Sequence, residues 1–101
     1  MIPTVSASQV FKSLGDETRL DIVRKLASDN TEVNSKEIVT SCSIALKLSQ
    51  PTMSHHFHTL VAAGVLLERK IGVEKFYTLN QPLLTQLGVD VRKIQGGISD
   101  R

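Results

Sequence analysis

Three histidines fall within four residues, His55-His56-Phe57-His58, and the chain's single cysteine, Cys42, precedes them. On a helix His55 and His58, at i and i+3, share one face and could share a metal ion. Two imidazoles fill only half of a tetrahedral site, and residues 49–64 contain no Asp or Glu to complete it or to act as a general base. A metal centre and a histidine-based metal-dependent enzyme are therefore the weaker readings, and neither catalytic residues nor a cofactor are expected. Cys42 follows Ile38 and Val39 at helical spacing, which suits a small buried core residue; a redox-sensitive thiol is the second reading.

The same segment offers another chemistry. Thr52, His55, Thr59 and Ala62 lie about 100° per residue round a helix, opposite an apolar stripe of Met53, Phe57, Leu60 and Val61. His58 lies beside them, with Ser54 and His56 on the flanks. Small or hydrogen-bonding side chains without a carboxylate suit close approach to an anionic, hydrogen-bond-rich surface, as a helix in a DNA major groove requires. Ser49 is placed to cap this helix, Pro51 fits its first turn and Gly64 its end.

Elements on either side must hold that helix. Ala7, Val10, Phe11 and Leu14 repeat as one amphipathic helix ending near Gly15. Asp16 caps a second, which buries Leu20, Ile22, Val23, Leu26 and Ala27 and leaves Arg19, Arg24 and Lys25 for solvent or phosphate. Residues 28–33 read as a polar link. Asn34 and Glu37 form a capping-box pattern for a short third helix, whose end between Ile44 and Leu48 is ambiguous. The stretch from Glu37 to Ser49 is long for the usual tight turn of a helix-turn-helix. After Gly64, residues 65–71 and 75–79 are β-prone runs round Gly72-Val73-Glu74, a hairpin with Arg69, Lys70 and Lys75 clustered as a basic arm. Asn80 and Pro82 open a last helix with an apolar seam of Leu84, Leu87, Val91 and Ile94, interrupted by Gly88. That seam packs on the first helix, on a second copy, or on both.

A mainly α chain of about five helices with a β-hairpin wing is the order of a winged helix-turn-helix. At 101 residues, 41% hydrophobic and 22% charged, one domain over residues 1–101 is expected, with 1–4 and 96–101 as flexible tails. The net charge of +2 attracts polyanions only mildly, so local placement of charge must decide. One cysteine, no leader-like start and no run of about 18 apolar residues point to a cytoplasmic protein without a membrane span.

The wording of the sequence adds to its periodicity. Phe11-Lys12-Ser13-Leu14-Gly15-Asp16-Glu17-Thr18-Arg19-Leu20, then residues 48–57 with Leu60 and Ala63-Gly64-Val65-Leu66, then Gly72 through Phe76-Tyr77-Thr78-Leu79, resemble the ArsR/SmtB family of bacterial repressors over residues 7–95. The resemblance implies a homodimeric transcriptional repressor, paired through its first and last helices, that binds an inverted-repeat operator in double-stranded DNA and is often released by a ligand. Val10, Leu84, Leu87, Val91 and Ile94 would then line the dimer interface. The family's thiolate sensor needs paired cysteines and its last-helix metal sensor needs histidine ligands. Here there is only Cys42 in the one place and Asp90 without a histidine in the other, so no metal is expected and the effector stays open.

On the DNA, Gln50 and Thr52 are the first choices for base edges, since Gln pairs bidentately with adenine and a Thr methyl meets that of thymine. His55 and His58 come next. Ser49 and Ser54, near the helix N-terminus, suit phosphate oxygens, and Arg69, Lys70 and Lys75 would grip the flanking backbone. The rival reading, a winged helix that binds only proteins, would favour acidic or apolar residues on this face.

Overall fold

A computed structural model describes residues 6–29 and 31–95. The expected tails, 1–4 and 96–101, lie outside the described residues. Helices α1 (Ala7–Leu14) and α2 (Glu17–Asp29) lead into a short strand β1 (Val33–Asn34) and helix α3 (Ser35–Leu46). Helix α4 (Gln50–Ala62) follows, then strands β2 (Leu66–Ile71) and β3 (Glu74–Leu79), and helices α5 (Gln81–Gln86) and α6 (Val91–Gln95). The antiparallel sheet has the order β1-β3-β2.

The caps are those the sequence specifies. Asp16 Oδ2 accepts from Arg19 N at 3.1 Å, Asn34 Oδ1 from Lys36 N and Glu37 N at 3.0 and 3.2 Å, and Ser49 Oγ from Thr52 N at 3.2 Å. Each oxygen satisfies an amide that a first turn leaves without an intrahelical partner. Helix α4 closes with Val65 N donating to Leu60 O and Gly64 N to Val61 O, both at 3.0 Å.

The ambiguous stretch before Ser49 is helix as far as Leu46, so its extra residues lengthen α3 and leave the turn tight. Lys47 makes that turn in the left-handed region (φ 57), with Leu48 N donating to Ser43 O at 3.1 Å. The seam after Pro82 is not one helix. Gly88 (φ 80) ends α5, and Val89 N reaches back to Leu84 O at 2.8 Å. A side chain there would face the Cβ strain of that conformation, so glycine fixes the break and gives six helices among the described residues where about five were expected.

Phe57, Ile22, Met53, Leu60, Val23, Val65, Val10 and Leu84 are fully buried and form the centre of the core. Val10 and Leu84, expected at a dimer interface, are both enclosed by their own chain. Leu87, Val91 and Ile94 are only half-buried. Phe11, expected inside, is 50% exposed, and Val61 is only partly covered.

Candidate nucleic-acid interface

Helix α4 is anchored by Met53, Phe57 and Leu60, all fully buried, so its opposite face is fixed outward. Ser49, Gln50, Thr52, Ser54, His55 and His58 are all exposed. Gln50, Ser54, His55 and His58 open onto a groove of about 880 Å³, with Lys36 and Thr40 of α3 on one wall and Lys75 of the wing on the other. Lys36 and Thr40 were missed by sequence reasoning. Thr40 is also the partner of Gln50, whose Nε2 donates to Thr40 Oγ1 at 3.3 Å. Asn34 had already placed Lys36 in the first turn of α3, where a helix-turn-helix runs its first helix across the DNA backbone, and that was the available signal.

Ser49 and Thr52 stand apart from the groove and bond to each other. Ser49 Oγ donates to Thr52 Oγ1 at 2.9 Å while accepting from Thr52 N. Ser49 is thus occupied as a cap, and the Thr52 methyl is the part of that side chain free to meet an apolar base edge.

The wing is fixed to α4 by an aromatic pair. Tyr77 of β3 stacks on Phe57 with ring centroids 5.3 Å apart and planes 20° from parallel. Burial pushes the Tyr77 phenol above its ordinary range. At the tip, Ile71 pairs with Glu74 across the two residues Gly72 and Val73. Only Gly72 of these has positive φ, at 62°, which matches a type II′ hairpin turn.

The basic arm is less basic than its sequence. Lys70 and Lys75 pair across the strands and share a face, whereas Arg69 points to the other. Arg69 is held bidentately by Glu32, Nε to Oε2 at 2.8 Å and Nη2 to Oε1 at 2.6 Å. Those hydrogen bonds hold the Glu32 carboxyl below the ordinary carboxylate range. The pair's contribution is present at neutral pH and is lost as pH falls through that lowered value. Lys75 Nζ lies 3.2 Å from Glu68 Oε2, and the hydrogen bond from Lys75 to Glu68 raises the lysine's pKa. Among the described residues Lys70 alone of the three has no carboxylate partner. Glu68→Gln should therefore free Lys75, tighten duplex binding several-fold and steepen its salt dependence, with little change in stability. Titration at two salt concentrations checks this, and unchanged affinity would show that Lys75 lies off the DNA.

Two arginines expected at the surface are structural. Arg19 Nε donates to Ser13 O at 2.7 Å, and its Nη1 lies 3.2 Å from His56 Nδ1. Guanidinium only donates, so that imidazole nitrogen accepts. Arg24 Nε donates to Ile94 O at 3.0 Å and ties α2 to α6. His56 consequently faces inward, while His55 and His58 stay outside. Among the described residues no three His, Cys, Asp or Glu side chains gather to hold a metal. Cys42 is buried.

The model of bacterial regulatory proteins of the arsR family matches residues 16–66, from the cap of α2 through the start of β2. The chain belongs to the ArsR family. It is a winged helix-turn-helix transcriptional regulator, and its family and fold are those of DNA-binding proteins. It is 41% identical to a helix-turn-helix transcriptional regulator of Methanocaldococcus jannaschii over 70% of this chain and 74% of that one. It is 42% identical to the arsenical resistance operon repressor of Escherichia coli over 71% of this chain and 57% of that protein. Among solved structures, HlyU from Vibrio cholerae superposes with a TM-score of 0.60 at 29% identity, over 81% of this chain and 84% of that one. Within the described residues no helix of this ArsR-family chain is long and apolar enough to cross a membrane.

Proposed function

We propose that the protein is a homodimeric, cytoplasmic, single-domain repressor that holds an inverted-repeat operator and lets go when an effector binds. The observation that carries this reading is the outward face of α4, where Gln50, Thr52, Ser54, His55 and His58 stand exposed on a buried apolar anchor with no carboxylate on the helix. Gln50 and the Thr52 methyl read bases, His55 and His58 extend the reading surface, and Ser54 meets a phosphate, while Ser49 holds the helix cap. Lys36 and Lys75 along the groove, and Lys70 beside Lys75 on the wing, add salt-dependent affinity, with Arg69 contributing once Glu32 releases it.

The dimer reading rests on apolar surface that one chain leaves half covered, at Leu87, Val91 and Ile94. A two-fold assembly presents two copies of α4, as an inverted repeat demands. Leu87→Glu is expected to give folded monomers in sedimentation and to remove operator binding. A dimer that survives the substitution would place Leu87 outside the interface. Gln50→Ala tests the reading of bases: it should cost about 1–3 kcal/mol at particular base pairs, and an equal loss on every sequence would refute its role.

A further inference from the structure

Helix α4 has two flanks, and the wing covers only one. The other, where Thr59 and Ala62 emerge, faces a separate cleft of about 240 Å³ walled by Gln9, Lys12 and Ser13 of α1 and Arg19 of α2. Thr59 is five residues beyond Ser54 and so about 140° round the helix from the wing side. Two cations and an amide converge on this cleft, and no carboxylate lines it. Lys12 is exposed and, among the described residues, makes no ion pair or hydrogen bond with its side chain. Arg19 has five N–H donors and uses Nε on Ser13 O and one Nη1 proton on His56 Nδ1, which leaves donors for another acceptor. Asp16, a carboxylate next to Arg19 in this network, accepts from the amide of Arg19 at 3.1 Å as the cap of α2.

We propose that this cleft is an oxyanion site that takes a phosphate of the DNA backbone on the side of α4 away from the wing. Lys12 and Arg19 supply charge, and Gln9 and Thr59 supply hydrogen bonds. A helix lying in a major groove has a sugar-phosphate strand along each side. Lys36 and Lys75 serve the wing side, and this cleft serves the other, so the helix is gripped from both flanks. The proposal rests on the DNA-binding reading above. A free tetrahedral anion offers the same chemistry, and the test separates the two sources.

Lys12→Ala and Gln9→Ala change exposed side chains and should leave the thermal transition unmoved. Fluorescence anisotropy with duplex DNA at about 50 and about 200 mM salt is the first arm. Lys12→Ala is expected to weaken binding several-fold on every sequence alike and to lower the salt slope by about one, while Lys93→Ala, exposed on α6 and outside the cleft, leaves the slope unchanged. The second arm adds inorganic phosphate alone at fixed ionic strength and follows thermal stability. Wild-type slope retained in Lys12→Ala overturns the proposal. If phosphate stabilises the wild type but not Lys12→Ala while duplex binding is untouched, the cleft holds a free anion and the backbone assignment is overturned. Wild-type protein that binds no duplex overturns the operator reading and this one together, an outcome distinct from failure of the cleft alone.

Discussion

Phe57→Ala is expected to destabilise the protein by about 3–5 kcal/mol, enough to leave a domain of this size marginally folded. Phe57 is fully buried, and its ring stacks on that of Tyr77 with centroids 5.3 Å apart. Truncation removes apolar burial, opens a cavity and also forfeits the stacked pair, whose geometry adds about 0.5–1.5 kcal/mol beyond area. The loss falls on function as well, because this contact sets the wing relative to the reading helix. Urea unfolding checks it. Phe57→Leu, which keeps most of the volume, should recover the larger part of the stability. A loss under about 1 kcal/mol for the alanine variant would mean that the core closes without the ring.

His55→Glu should have the largest effect on binding without one on folding. His55 is exposed and opens onto the groove, so the substitution removes no core contact and stability should stay within about 0.5 kcal/mol. On DNA it sets a carboxylate against phosphates and base acceptors. Like-charge juxtaposition at an interface costs several kcal/mol, so affinity should fall by about 100-fold or more. His55→Gln, neutral and able to hydrogen-bond, should keep most of the binding. A glutamate variant that binds as well as the wild type would place this face away from DNA.

Helix α4 was readable almost entirely, since Ser49, Pro51 and Gly64 mark its ends and Met53, Phe57 and Leu60 its buried side through local chemistry alone. The same holds for the Asn34 cap and the hairpin turn at Gly72. Strand β1 was not, because two residues carry no alternation and its pairing of Val33 with Tyr77 and Asn34 with Phe76 exists only in three dimensions. Arg19 and Arg24 looked like surface charge because their acceptors, Ser13 O and Ile94 O, are backbone atoms with no sequence signature. Arg69 and Lys75 read as a basic arm because Glu32 is far away in the chain, and strand pairing had to bring Glu68 opposite Tyr77 and within reach of Lys75. The apolar seam misled for a related reason. Periodicity marks Leu84 and Leu87 alike as buried, but it does not say whether the chain itself or a second copy does the burying, and Gly88 turns the seam before it can run on as one helix.

The most direct measurement is fluorescence anisotropy of the wild-type protein with a duplex from its own promoter region and with a shuffled duplex of equal length, each at about 50 and about 200 mM salt. Binding is expected to be at least about 1,000-fold tighter to the promoter duplex and to weaken steeply with salt on both. Equal, weak affinity for the two duplexes with no dependence on salt would contradict the assignment of α4 as a helix that reads DNA.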